Sequence, residues 1–359
     1  MIKTRKTHTV LRLLSIFLLF SLLFAAGCKK GSDSPKTPGL SLIEGVPIYD
    51  EGVALRTDHV TVSAGMMAFF FYRYGGAEMA EMEKITPYDA QRSLHEQEFQ
   101  NGISFYDAIM NATLQKVSEL VIYCEAAHAA GFTLNDTQRA AIEQELVQMA
   151  MDAAADHSMT LEAYLQHEYG PLMTEADMRA VLECEMLASL YSVTVNRTLE
   201  EGITDEQIAR CVRERGFDDE TPSRNVAYLS IPFVDGKANE KAVARARAAL
   251  YETPAPSTLE ALGELGTFRH ERDLTPQNTT VKALADWLFH ADRALLDRGE
   301  VEAGGATYIL LYTGNGASYG EVLAKMHLYD EAFAAWYQGW VEALTFGYNY
   351  DVLDSYDVS

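Results

Sequence analysis

Apolar residues recur along this chain at spacings of three and four over most of its length, the signature of helices with one buried face. Asp58-His59-Val60-Thr61-Val62-Ser63 reads as a short strand ending at a helix cap. Ser63 is the expected N-cap of a very apolar helix carrying Met66, Met67, Phe69, Phe70 and Phe71. From Ser104 to Ala130, Ile109, Leu114, Val117, Leu120, Val121 and Cys124 mark a long helix that Gly131 closes. Asn135 or Asp136 caps the next helix, whose buried face is Ile142, Leu146 and Met149. A short helix over Leu161 to Tyr169 stops at Gly170-Pro171, and another runs from Thr174 to about Val195. Ile203-Thr204-Asp205-Glu206-Gln207 begins a capped helix ending near Gly216.

The pattern changes after Pro222. Asn225 to Phe233 alternates as a strand, with Val226, Tyr228 and Ser230 on one side. Helices follow at Asn239 to Tyr251 and near Leu259, then a polar, irregular stretch over 267–280 and a helix-compatible segment from Leu284 to Leu296. Thr307 to Thr313 reads as an apolar strand, and 318–346 as a last amphipathic helix with Val322, Met326, Phe333, Trp336 and Trp340. Strand, helices and strand within about ninety residues make an α+β module after an all-helical array. The expected fold class is therefore mostly α with an α+β module. No repeat of 20–50 residues is visible.

The first residues change the picture more than composition does. Lys3, Arg5, Lys6 and Arg12 precede a nearly unbroken apolar run from Val10 to Phe24, which small residues join to Cys28. That is the layout of an exported precursor. Phe24-Ala25-Ala26-Gly27-Cys28 resembles a bacterial lipobox, which implies cleavage after residue 27 and lipidation of Cys28. The usual leucine three residues before the cysteine is Ala25 here. An uncleaved anchor or an ordinary signal peptide is the alternative, and the run is short of the roughly 20 residues that span a bilayer. Residues 29–45 read as a flexible tether.

Losing residues 1–27 removes four of the 29 basic residues and no acidic ones, which leaves 25 Lys+Arg against 52 Asp+Glu, a net charge of −27. So acidic a surface is repelled by phosphate backbones, and no nucleic acid is expected as partner. It is also unsuited to anionic lipid, so contact with the membrane would come through the lipid on Cys28. Cys124, Cys184 and Cys211 remain, odd in number and each in a helical segment. An exported chain could pair two of them; the reading preferred is three small buried apolar residues.

The helical middle resembles the N-terminal chaperone region of the SurA/PrsA group of exported foldases. The residues that carry the likeness are His59-Val60-Thr61-Val62-Ser63, Ala126-Ala127-His128-Ala129-Ala130-Gly131-Phe132-Thr133-Leu134 and Gly202-Ile203-Thr204-Asp205-Glu206. Residues 222–315 resemble a parvulin (PpiC-type peptidyl-prolyl isomerase) domain. The phrases are Arg224-Asn225-Val226-Ala227-Tyr228-Leu229-Ser230-Ile231, Asp286-Trp287-Leu288-Phe289 with Asp297-Arg298-Gly299-Glu300-Val301, and Ala306-Thr307-Tyr308-Ile309-Leu310-Leu311. The departures are at the site. Parvulins carry histidines on the first and last strands, where this chain has Tyr228 and Tyr308, and the phenylalanine of the proline pocket falls near Leu284. A peptidyl-prolyl isomerase is the only enzyme the resemblance implies, and its histidine pair is replaced.

The resemblance implies this division: signal peptide 1–27, lipidated Cys28 and tether 28–53, helical chaperone region 54–218, degenerate parvulin-like domain 222–315, and a C-terminal helix 318–346 packing back on the helical domain. It implies unfolded or nascent exported polypeptides as partners and a lipid-anchored place on the extracytoplasmic face of the cell membrane. Tyr228 and Tyr308 are the candidate catalytic positions. Leu284, Trp287, Phe289, Met66, Phe70, Trp336 and Trp340 are the candidate client contacts, with large apolar and Met-rich surfaces suited to varied peptides. The alternatives are an active isomerase with an atypical site and, from another class, a solute-binding or scaffold lipoprotein.

No cofactor and no metal is expected. His95-Glu96 lacks the second histidine of a zinc helix, Gly314-Asn315-Gly316 does not fit a dinucleotide fingerprint, and Asp218-Asp219-Glu220 lacks a calcium loop. No serine stands in a nucleophile elbow.

Overall fold

The computed structural model describes residue 43 and residues 45–356. The signal peptide, Cys28 and the tether as far as residue 42 lie outside the described residues, whereas the end of the segment expected as tether holds the strand Gly45–Pro47 and the first residue of the strand Val53–Arg56. The described chain is mostly α with an α+β module. It divides into two compact units, one formed by residues up to Glu200 and from Ala332 onward, the other by Glu201–Glu331.

In the first unit, helix α1 (Ala64–Met82) starts where the Ser63 hydroxyl accepts the Met66 amide at 3.0 Å. Its first two turns are buried on every side, including Met66, Met67, Phe69, Phe70 and Phe71. A helix apolar all round belongs in an interior, and that is where this sequence puts it. Helix α2 (Phe105–Ala129) is capped by Ser104 and buries the Ile109, Leu114, Val117, Leu120 and Val121 stripe. It stops where Gly131 takes φ +66° and the Phe132 amide returns to the Ala127 carbonyl at 2.9 Å. Helix α3 (Asp136–His157) opens with a capping box between Asn135 and Gln138. Helices α4 (Leu161–Tyr169) and α5 (Glu175–Glu201) complete the array.

A small sheet closes this unit. Its strands are β1 (Gly45–Pro47), β2 (Val53–Arg56), β3 (Thr61–Ser63) and β10 (Phe346–Tyr348), in the order β1-β10-β2-β3. Strand β1 runs parallel to β10, and the other pairs are antiparallel. A hairpin of β4 (Glu98–Gln100) and β5 (Ile103–Ser104) precedes α2. Glu125 of α2, its side chain 2% exposed, fastens the β2–β3 turn to the helix. It accepts hydrogen bonds from Thr57 Oγ1 at 2.5 Å, the His59 amide at 2.7 Å, His59 Nδ1 at 2.8 Å and the Val60 amide at 3.0 Å. Burial alone would raise its pKa; these hydrogen bonds outweigh burial and hold the carboxyl below the usual range.

The second unit begins with α6 (Asp205–Arg215), boxed by Thr204 and Gln207 and ended by Gly216 at φ +69°. Its sheet comprises β6 (Pro222–Pro232), β7 (Thr267–Leu274), β8 (Arg298–Ala303) and β9 (Ala306–Ser318), all antiparallel in the order β7-β6-β9-β8. Alternation along β6 and β9 sorts the two faces. Ala227, Leu229, Ile231, Ile309 and Leu311 pack with α7 (Glu240–Glu252) and α8 (Pro256–Glu260). Val226, Tyr228, Tyr308, Leu310 and Tyr312 join a second cluster with α9 (Lys282–Leu288).

Helix α10 (Tyr319–Ala343) starts in the second unit and ends in the first. Its later residue Tyr337 is buried in the first unit's apolar core, and Phe333, Trp336 and Trp340 pack against that core partly buried.

The short strands β1, β2, β4, β5 and β8 are not expected from the sequence, and three longer segments also differ from the expectation. The stretch 267–280 contains strand β7, whose Thr-Phe-Arg-His-Glu-Arg-Asp-Leu lies at a sheet edge and so needs no apolar alternation. The segment read as helix to Leu296 ends at Leu288 and turns, with Leu296 at φ +66°. The last helix stops at Ala343, because Phe346-Gly347-Tyr348 enters the small sheet fully buried.

Candidate functional site

The second face of the four-stranded sheet gathers the chemistry of the α+β unit. Register sets Tyr308 opposite Ser230 and Tyr228 opposite Leu310, so both tyrosines project on one face two residues apart along the ladder. Their ring centroids are 5.5 Å apart at 58°. The Tyr228 hydroxyl donates to Glu271 Oε1 at 2.7 Å across the β6–β7 pair. Burial, then the neighbouring Glu271 charge and its hydrogen bond, push the Tyr228 phenol up, so it stays protonated.

Helix α9 lies over this face. Leu284 is 2% exposed and Leu288 is fully buried, so both form its floor. Trp287 lies directly against Gly299 of β8: a Cβ added there would fall 2.0 Å from the indole Nε1. That close approach requires glycine. The indole's outer surface is covered by Arg293, whose guanidinium carbon is 4.0 Å from the ring centroid and whose Nη2 donates to the Trp287 carbonyl at 2.7 Å. Phe289 sits 5.9 Å from Arg224, which also faces Tyr312 at 5.8 Å.

Beside these side chains is an open cleft of about 530 Å³. Tyr308, Val281, Ala283 and Ala303 are its apolar walls, and Lys282 and Asp286 form part of its lining. Lys282 and Asp286 pair with each other at 2.6 Å. The result is a largely apolar trough with one aromatic wall and a Lys282–Asp286 ion pair in its lining. It suits an apolar segment of peptide.

The structure thus brings Tyr228, Tyr308, Leu284, Trp287 and Phe289 into one cluster. Of these, only Tyr308 lines the cleft. The sheet does carry a histidine, His270, but it pairs with Ala227 and so belongs to the opposite face, where Nε2 meets Thr313 Oγ1 at 3.2 Å. Glu271, Arg224 and Arg293 were not singled out by sequence reasoning. Glu271 lies in the strand that the pattern hid, and the arginines act on aromatics that the turn after α9 brings back.

The client contacts expected in the first unit are corrected in part. Met66 is 4% and Phe70 0% exposed, so both are core residues with no surface to offer a peptide. Phe70 instead stacks on Tyr74 at 5.8 Å. Trp336 and Trp340 are half-buried, with Trp336 5.2 Å from Tyr123. Among the described residues no cluster of three or more metal-ligating side chains occurs, and no helix is long and apolar enough to cross a membrane.

No family model matches the chain, and no curated protein matches it. Among solved structures it is similar to PrsA from Bacillus subtilis at 13% identity, covering 86% of this chain and 94% of that chain, with a TM-score of 0.33. It is also similar to a structure from Campylobacter jejuni described as one of two SurA-like chaperones, PEB4 and Cj1289, at 7% identity, covering 83% and 99%, with a TM-score of 0.25. A third likeness is the foldase PrsA from Lactococcus lactis, at 12% identity, 81% and 89% coverage and a TM-score of 0.22. At TM-scores below 0.5, what the site can do is judged from its own side chains.

Proposed function

We propose that the chain is a membrane-anchored extracytoplasmic chaperone or foldase that holds unfolded exported polypeptides. The observation that carries this reading is the trough walled by Tyr308, Val281, Ala283 and Ala303 beside the Tyr228–Tyr308 pair. Such a surface takes apolar segments of varied sequence without a cofactor. The half-buried Trp336 and Trp340 offer a second contact. Lipid on Cys28 would hold the acidic body beside the membrane where exported chains emerge.

Catalysis of prolyl isomerisation is the weaker half of the reading. It demands that a barrier of roughly 18–20 kcal/mol be lowered by desolvating and twisting one amide. The Tyr228 hydroxyl is occupied by Glu271, and His270 is on the other face. The α+β unit then acts as a binding surface shaped like an isomerase.

Light scattering of an aggregating client, with and without the full chain, tests the chaperone reading. Suppression at several-fold excess is expected; unchanged aggregation removes it. A protease-coupled proline-peptide assay tests the second reading, an active isomerase with an atypical site. A rate equal to the uncatalysed one is expected, and an acceleration abolished by Tyr308→Ala would install the enzyme instead. A solute-binding lipoprotein is disfavoured by residues 105–215, where α2 to α6 follow one another without the βα alternation that such a fold requires.

A further inference from the structure

Cys124 and Cys184 are 60 residues apart in sequence, yet their sulfurs are 2.9 Å apart. Cys124 projects from α2 and is 1% exposed; its thiol also reaches the Cys184 carbonyl at 3.4 Å. Cys184, on α5, is only partly buried. Cys211 is in the other unit. The three cysteines are therefore two different things: a facing pair, and a single buried residue.

We propose that Cys124 and Cys184 form a dithiol–disulfide site that a small disulfide oxidant closes, stapling α2 to α5. Cys184, the more accessible of the two, gives its proton to water, and its thiolate attacks one sulfur of the oxidant X–S–S–X. The oxidant's S–S bond breaks, and X–S⁻ departs and takes a proton from water. Cys124 then gives its proton to water, and its sulfur attacks Cys184 Sγ, displacing the second X–S⁻. Two S–H bonds and one X–S–S–X become one protein disulfide and two X–SH, and two electrons pass from the cysteines to the oxidant. The hydrogen bond to Cys184 and burial both raise the Cys124 thiol, which fits its part as the second, proton-holding partner. Both cysteines belong to the first unit, whereas the trough belongs to the second. The disulfide gives the first unit a covalent link suited to an oxidising compartment, where such pairs persist.

The full chain is incubated with glutathione disulfide or with dithiothreitol, denatured, alkylated and digested. After glutathione disulfide the Cys124 and Cys184 peptides are expected as one linked species, separated by dithiothreitol, with Cys211 outside the link. The thermal midpoint of the first unit is expected to rise on oxidation by on the order of 10 °C, from the closure of a loop of this length in a unit of this size. Cys184→Ala is expected to abolish that redox-dependent rise. Separate alkylation or separate glutathione adducts on Cys124 and Cys184 would overturn the pairing. A linked species with no higher midpoint would overturn the staple.

Discussion

Removing the Glu125 carboxylate tests the joint between the small sheet and α2. In Glu125→Ala four donors lose their acceptor: the Thr57 hydroxyl, the His59 and Val60 amides and the His59 ring nitrogen. His59 has a side chain 61% exposed, so water can replace its partner. Thr57 and Val60 are 6% and 8% exposed, so the Val60 amide is orphaned and the Thr57 hydroxyl keeps only a long 3.4 Å contact to the Val60 carbonyl. Each buried donor weakened or left without its acceptor costs about 1–3 kcal/mol, so the Thr57 and Val60 donors together cost roughly 2–6 kcal/mol. At about 2–4 °C per kcal/mol for a unit of this size, the first unit's thermal midpoint should fall by about 10 °C. Calorimetry of the full chain reads this, with the α+β unit's transition as internal reference. The same carboxylate has a pH signature. Its folded pKa lies below its unfolded value, so its stabilisation is present above the unfolded pKa and lost as pH falls through the folded one. Glu125→Gln should flatten the acid limb of the stability curve. A midpoint moved by less than about 2 °C in Glu125→Ala, or an acid limb unchanged in Glu125→Gln, refutes the reasoning.

Glu185 should behave with the opposite sign. Burial raises its pKa to about 7 against the lowering influence of Arg73, so its contribution is complete below the unfolded carboxyl value and is lost as pH rises through about 7. Glu185→Gln should abolish that decline, measured as urea midpoints between pH 5 and pH 8. Gly299→Ala drives a methyl into the Trp287 indole and should destabilise the α+β unit by about 1–3 kcal/mol, with a shift in tryptophan emission that Gly304→Ala does not produce. Tyr228→Phe removes the donor to Glu271 at a cost of about 1 kcal/mol in urea unfolding and should leave proline-peptide turnover at the uncatalysed rate.

The helical array was legible because each helix announces its own start. Ser63, Ser104, Asn135 and Thr204 all cap where the pattern places them, and the Asn135 and Thr204 boxes involve residues three apart in sequence. The apolar alternation of β6 and β9 was legible for the same local reason. Strand β7 was not, because an edge strand with charged residues leaves no alternating signature. Strand β10 was not, because three residues after a long helix carry no period at all. At the site, Tyr228 and Tyr308 could be named from their phrases, whereas Glu271 could not, since its bond to Tyr228 depends on a register 43 residues away. The Cys124–Cys184 contact was hidden for the same reason: sequence shows which face of a helix is apolar, and tertiary packing decides which two faces meet.

Strands β1 and β10 pair the first described strand of the chain with the last. The Tyr356 hydroxyl also holds the Ala64 carbonyl at 2.8 Å, and Tyr106 donates to the Leu353 carbonyl. Topologically, Glu201–Glu331 is an insertion inside a unit whose two ends must meet. A chain emerging from its N-terminal side can complete the inserted unit first, because all four strands of that sheet lie within about a hundred residues. The helical unit must wait for its closing strand across a separation of about three hundred residues. Such distant pairing is slow. Deleting the segment from Phe346 onward should leave the helical unit open at its sheet while sparing the inserted one, so the last dozen described residues act as the latch on the order of assembly.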